Sequence, residues 1–275
     1  MYSLYCNGRL LSLKDPIVMG ILNLTPDSFY PGSRIRSDDD LIRKAEGMLN
    51  AGAAILDLGG SSSRPGAEDI SIEEEMNRII PAIRLITTQF PQAFISIDSY
   101  RYEVSKAAVD AGAVIINDIG AGDSENLIKL AALRNIPYIC MHMRGNPGNM
   151  QDLTHYDDFL TELLDYFIHK KSQCLLLGLK DLIIDPGFGF AKTISQNFLL
   201  LKQMKLLSML ELPVLVGLSR KATVYKTLGI SPEEALNGST VMHTLALEHG
   251  ARLLRVHDVK EAVETIRLWK SYADA

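Results

Sequence analysis

The chain has 275 residues, 47% of them hydrophobic and 22% charged, with a formal net charge of −5. That balance allows a large apolar core, excludes a disordered chain, and gives no electrostatic basis for general nucleic-acid binding. No apolar run approaches a membrane span, and the first residues, with Asn7, Arg9 and Lys14, lack the apolar stretch of a signal peptide; no membrane partner is expected, and a cytoplasmic location is.

In chain order, residues 2–13 predict a small β-hairpin turning at Asn7-Gly8, a two-residue turn that favours positive φ at both positions. Eight short apolar runs follow, at intervals of about 20 to 45 residues: Ile17 to Asn23, Ala54 to Gly59, Phe94 to Ser99, Val114 to Asp118, Tyr138 to His142, Leu182 to Asp185, Val214 to Ser219 and Arg252 to His257. Runs of this length separated by helical patterns are the mark of buried parallel strands joined by crossover helices. The amphipathic segments lie near 38–51, 72–89, 101–111, 124–134, 156–177, 195–209, 232–249 and 258–272. Ser71-Ile72-Glu73-Glu74 reads as a helix start, and Pro91, Pro137 and Pro213 each stop a helix just before a strand. The expectation is an α/β fold, a (β/α)8 TIM barrel in one domain over residues 1–275, with the hairpin plugging its amino-terminal end and the chemistry at the carboxyl ends of its strands.

Asn23, Asp98, Asn117, Asp185, Lys221, Arg255 and His257 all fall on that rim. A carboxylate accepts two N–H bonds and an amide supplies both donor and acceptor, so Asp98, Asn117 and Asp185 together suit the edge of a flat, nitrogen-rich heterocycle. Each alone suits a bond to a neighbouring loop equally well. Arg64, Lys192, Arg220, Lys221 and Arg255 follow strands at the same end, giving an acidic protein a basic mouth that fits an anionic small molecule. Arg255 can grip phosphate or stack on a ring, the alternative being an ion pair with Asp258. Two long connections, Thr25 to Ser37 and Ser61 to Ser71, are expected to act as lids. Gly187-Phe188-Gly189-Phe190 is only loosely a phosphate loop, no zinc-binding histidine pair exists, and the odd set Cys6, Cys140 and Cys174 suggests neither disulfides nor a metal, with Cys140 a core residue.

Met19 to Phe29, Asp57-Leu58-Gly59-Gly60 with Ser63-Arg64-Pro65-Gly66, Ile115-Ile116-Asn117-Asp118, Asp185 to Phe190, Gly217-Leu218-Ser219-Arg220-Lys221 and Arg255-Val256-His257-Asp258 occur in an order and spacing that resembles the dihydropteroate synthases, over residues 17–260. The resemblance implies a barrel enzyme of folate biosynthesis, usually homodimeric, that condenses p-aminobenzoate with (7,8-dihydropterin-6-yl)methyl diphosphate. It implies that Asp98, Asn117, Asp185 and Lys221 hold the pterin and that Arg255 stacks on it; Asp98, Asp185, Lys221 and Arg255 are the catalytic candidates. It gives Asn23 to Mg²⁺ as the metal position, Ser63, Arg64, Arg255 and His257 to the diphosphate, and Phe29, Pro65, Phe190, Ser219 and Lys221 to the p-aminobenzoate slot. The chain departs from its relatives with Ser61-Ser62-Ser63 where Glu-Ser-Thr is common, and with Tyr30-Pro31-Gly32-Ser33 in place of a glycine-rich loop tip. A methyltetrahydrofolate-binding methyltransferase barrel would share the pterin-reading carboxylates without needing Ser219-Arg220-Lys221 or the Arg255/His257 pair. A non-catalytic pterin-binding paralogue would lack some anion or lid residues.

Overall fold

The structure is a computed structural model and describes residues 2–24, 37–61, 70–146 and 148–275. It opens on an antiparallel hairpin, β1 (Ser3–Cys6) and β2 (Arg9–Ser12). Asn7 and Gly8 at its tip have φ of +47° and +89°, the paired positive values that match a two-residue turn to the twist of its strands.

Eight parallel strands then close a barrel: β3 (Ile17–Asn23), β4 (Ile55–Gly59), β5 (Phe94–Asp98), β6 (Ile115–Asp118), β7 (Tyr138–Met141), β8 (Leu182–Asp185), β9 (Val214–Val216) and β10 (Ala251–Val256), with β10 pairing back to β3. The helices between them are α1 (Asp38–Asn50), α2 (Ile72–Gln89), α3 (Tyr102–Ala111), α4 (Glu125–Arg134), α5 (Phe159–Leu176), α6 (Ile194–Gln203), α7 (Ala222–Leu228), α8 (Leu236–Glu248) and α9 (Val259–Ala273). This is the expected TIM barrel. Ser37, Ser71 and Thr193 cap α1, α2 and α6 by accepting the backbone N–H three residues on, which satisfies donors that the first turn leaves open.

Strand alternation divides the core in two. Outward residues such as Leu56, Leu58, Ile97 and Leu254 pack under helix residues such as Ile79, Ile83 and Phe167. Inward residues at the amino-terminal end, Met19, Ile55, Ile115, Ile139, Ile183, Leu215 and Leu253, form a separate cluster with Leu4, Cys6, Leu11 and Leu13 of the hairpin, which therefore plugs the barrel as expected. Cutting one such side chain, as in Ile55→Ala, should cost about 2–5 kcal/mol through lost transfer energy and the cavity left behind.

β5, β7 and β10 end one residue short of the runs read from the sequence, which leaves His257 just past its strand, and three further departures are larger. β9 stops at Val216, so Ser219 to Lys221 lie in a turn in which Arg220 has φ +54°, and Lys221 precedes a seven-residue helix, α7, that the apolar pattern does not announce. α7 ends at Gly229, φ +68°, and is too short to display a helical period. The segment 232–249 starts later than its polar residues suggest, because Ser231 to Ala235 form turns closed by Glu234 N to Ser231 O and Ala235 N to Pro232 O. The segment 195–209 divides into α6 and a 3-10 helix, Met204–Leu210.

Candidate active site

Above the apolar plug, the inward positions change character. Register aligns Ile21 with Asp57 and Asp57 with Ser96, then Asn23 with Gly59, Gly59 with Asp98, and Asp98 with Asn117; Met141 aligns with Asp185, and Arg255 with Met19. Paired residues of parallel strands share a face, so Asn23, Asp57, Asp98, Asn117, Asp185 and Arg255 all enter one space at the carboxyl end of the barrel. Asp118, next to Asn117, points the other way and accepts hydrogen bonds from Tyr138 Oη and Gly120 N in the layer under the helices.

Arg255 is the hub. Its Nε donates to Asp57 Oδ2 at 2.6 Å and its Nη2 to Asp98 Oδ2 at 2.5 Å, while Asn117 Nδ2 donates to Asp57 Oδ2 at 3.0 Å. Burial acts against the guanidinium charge, but the two carboxylates outweigh it and hold the proton more firmly than usual. Asp98 is pushed up to about 7 by burial, with Arg255 opposing and Asp57 and Glu75 adding repulsion. Asp185 rises for the same first reason, against the attraction of Lys221; its Oδ1 accepts from Gly187 N at 2.8 Å. Lys221 is pushed down to about 8 by burial against the pull of Asp185. Asp57 Oδ1 and Asp98 Oδ1 are buried and find no hydrogen-bond partner among the described residues.

At the β9 and β10 end, Ser219 Oγ lies 3.2 Å from His257 Nδ1 and accepts from His257 N. Lys221 Nζ donates to Phe188 O and stands 4.0 Å over the ring of Phe190, which packs with Met141, Met143 and Met150. The alternative partner for Arg255 is excluded: Asp258 is held in a two-pronged bond by Arg220, from Nε at 2.8 Å and Nη2 at 2.9 Å. That arrangement also removes Arg220 from the basic mouth, because its Nη1 turns to the carbonyls of Pro232 and Glu233. Lys192 is likewise a tie within the loop after β8 rather than a charge open to the mouth, being only 4% exposed.

Phe29, Ser63, Arg64 and Pro65 lie outside the described residues. Asp57 was not assigned a site role from sequence, although a charge in the middle of the apolar run Ile55–Gly59 was the available signal. No group of three or more His, Cys, Asp or Glu side chains is arranged for a metal among the described residues. Asn23 offers a neutral oxygen instead. A Cβ added at Gly59 would meet Asp98 Oδ2 at 3.4 Å and Asn23 Oδ1 at 3.6 Å, so the bare glycine leaves those two oxygens facing a common space. A single hard oxygen donor is what Mg²⁺ accepts when phosphates and water complete its shell, so the residue fits that ion. The free thiols Cys6, Cys140 and Cys174 are buried, and burial pushes Cys140 far above its ordinary range, as suits a core position.

A space lined by carboxylates, an amide and a flat cation reads N–H-rich edges and ring faces together, and comparison with known proteins agrees. Residues 19–257 match the sequence profile of the pterin binding enzyme family. The dihydropteroate synthase of Escherichia coli K12 is 43% identical over 267 residues, covering 96% of this chain and 94% of that protein. The Haemophilus influenzae dihydropteroate synthase is 36% identical, with 99% of each covered. Among solved structures, a sulfonamide complex of the Yersinia pestis dihydropteroate synthase superposes with a TM-score of 0.95 at 38% identity and 100% coverage of both chains. The Xanthomonas albilineans enzyme with 4-aminobenzoic acid gives 0.91 at 38% identity, covering 99% of this chain and 98% of that one. Identity of this extent, along a barrel whose charged layer is built as described, means that the chain belongs to the dihydropteroate synthase family of pterin-binding enzymes.

Proposed function

We propose that the chain condenses (7,8-dihydropterin-6-yl)methyl diphosphate with p-aminobenzoate, releasing 7,8-dihydropteroate and diphosphate in folate biosynthesis. The observation that carries this reading is the convergence of Asp98, Asn117, Asp185, Lys221 and Arg255 on one space at the carboxyl end of the barrel. In that space Asp98 and Asp185 accept pterin N–H groups, Asn117 adds an acceptor, Lys221 donates to a ring acceptor, and the Arg255 guanidinium lies against the ring face.

The aromatic amine is already neutral and nucleophilic at neutral pH, so no strong base has to generate it. Its nitrogen lone pair forms the new bond to the methylene carbon as the C–O bond breaks and the electron pair of that bond leaves with diphosphate. The amine proton is then lost to solvent. In the path we propose, C–O cleavage runs ahead of attack, and the buried carboxylates stabilise positive character spread into the pterin. His257, Arg255, Ser63 and Arg64 receive the diphosphate. When bound, Mg²⁺ held by the Asn23 side-chain oxygen supplies charge neutralisation for that leaving group. Phe29, Pro65, Phe190, Ser219 and Lys221 form the p-aminobenzoate slot, where sulfonamides compete. A small secondary isotope effect at the methylene would count against early C–O cleavage.

A homodimer and a cytoplasmic location belong to the same proposal. Exposed Val241 and Leu245 on α8, with Leu268 and Tyr272 on α9, supply an apolar face suited to a second copy, and a single-chain mass in sedimentation at micromolar concentration would remove it. No described helix is long and apolar enough to cross a membrane. The deciding experiment mixes the protein with both substrates and Mg²⁺ and follows diphosphate and dihydropteroate. Failure to form either product would overturn the reading.

A further inference from the structure

Asp57 has no part in the reaction as described above, yet two groups of the pterin space converge on it. It is wholly buried and projects inward from the middle of β4, level with Ile21 and Ser96 and one layer beneath Asp98. A carboxylate taken out of water in this way persists only when paired. Its Oδ2 receives both Arg255 Nε at 2.6 Å and Asn117 Nδ2 at 3.0 Å.

Both bonds determine what a ligand meets. A guanidinium is rigid and planar, so holding Nε fixes the inner end of the plane and leaves the rest of the fork to reach Asp98. An amide has one donor side and one acceptor side. Because a carboxylate only accepts, Asp57 obliges Asn117 to turn its NH₂ inward and keep its carbonyl oxygen for another partner. Asp57 also competes with Asp98 for the same cation. Were residue 57 neutral, the guanidinium would be drawn wholly to Asp98 in the stronger two-pronged arrangement, and an incoming ring would have to break it.

We infer that Asp57 is a positioning residue of the pterin site: it holds the Arg255 plane by Nε and the Asn117 amide by its NH₂, and so leaves Asp98 available to the ligand. This role rests on the pterin reading of the site.

Calorimetric titration with (7,8-dihydropterin-6-yl)methyl diphosphate, without p-aminobenzoate, tests it. Asp57→Asn is expected to weaken binding about tenfold or more while the circular-dichroism melt stays within a few degrees. Ser96→Ala, in the same buried layer, is expected to change affinity less than about twofold. In an Arg255→Gln background, the further loss from Asp57→Asn should shrink to about threefold or less, because the Arg255 contact is already gone and only the hold on Asn117 is left to lose. In steady state, KM for the pterin substrate should rise with KM for p-aminobenzoate unchanged. Unchanged pterin affinity in Asp57→Asn, an equal loss in Ser96→Ala, or full additivity with Arg255→Gln would overturn the role. If the variants do not fold, the wild-type Arg255 Nε–H resonance decides, since it should remain protected from exchange when the pterin substrate is added, and loss of protection would overturn the inference. Wild-type protein that binds no pterin substrate would instead bring down the reading of the site itself.

Discussion

Lys192 Nζ lies 2.9 Å from His142 Nδ1, a hydrogen bond between two buried nitrogens. Burial, then the Lys192 charge, pushes His142 far below its ordinary range. The same nitrogen donates to the carbonyls of Gly187 at 3.1 Å and Phe190 at 3.0 Å, and so ties the loop after β8 to the end of β7. The loop that carries Phe190 therefore hangs on one buried nitrogen.

The burial of that amine should be visible in the pH dependence of stability. Burial pushes Lys192 down from 10.5 to about 7, against the attraction of Asp185. Below that value both folded and unfolded chains hold the proton. Between the folded and unfolded values only the unfolded chain keeps it, so this group makes folding more favourable as pH rises through the window. The urea midpoint of the wild type, measured against Lys192→Met, should gain on the variant from about pH 7 to about pH 9. A constant difference would show that Lys192 titrates as an ordinary lysine.

Asp98 carries the corresponding expectation for binding. Burial first, then repulsion from Asp57 and Glu75, keeps it protonated up to about 7 despite Arg255. The carboxylate is the form that accepts two N–H bonds, so pterin affinity should rise as pH passes through that value and level off above it. Asp98→Asn should remove the rise and weaken binding by about 1–3 kcal/mol. Calorimetry from about pH 5.5 to 8.5 checks both statements, and a pH-independent wild type would contradict them.

Asp185→Asn should weaken pterin binding by about 1–3 kcal/mol with the fold retained, because the amide presents a donor where an acceptor is needed. Unchanged affinity would take Asp185 out of the site.

Gly187 is held at φ +70°, and a Cβ there would lie 2.0 Å from the carbonyl oxygen of His142, a backbone atom that cannot swing aside. Gly187→Ala should cost about 1–3 kcal/mol from the backbone conformation alone, and the clash should add to it. Pterin affinity should fall as well, since Gly187 N orients Asp185 Oδ1. A urea midpoint equal to the wild type's would refute this.

The proposed p-aminobenzoate slot draws Phe29 and Pro65 from the two long connections, the second of which also carries Arg64, proposed to bind the diphosphate. If binding the anion completes the slot, p-aminobenzoate should bind weakly to the free protein and much more tightly with Mg²⁺, diphosphate and a pterin, and the coupling should be reciprocal. Sulfonamides should follow the same order. Equal affinity in both states would mean that the slot is preformed.

The barrel could be read from the chain because each strand is a local object: a short apolar run, a polar residue at its end and a proline or cap at the next boundary. The hairpin turn at Asn7-Gly8 and the cap at Ser71 are local in the same sense, and both stand where the sequence places them. α7 escaped because a seven-residue helix between Lys221 and Gly229 offers too few turns for a period to register. The end of β9 was overextended because an apolar run continues through Leu218 after the strand hydrogen bonds have stopped.

What the sequence determined by itself was the alternation that carries Asn23, Asp98, Asn117, Asp185 and Arg255 to one rim, since strand period and strand order are written residue by residue. Which charge meets which was decided by the closed barrel alone. Arg255 passes over Asp258, three positions away, and pairs with Asp57, 198 positions distant, while Asp258 goes to Arg220. The physical reason is that closing β10 against β3 brings the interior faces of distant strands within hydrogen-bond reach, and in that dry interior a buried carboxylate has to be matched by a cation from whichever strand lies opposite.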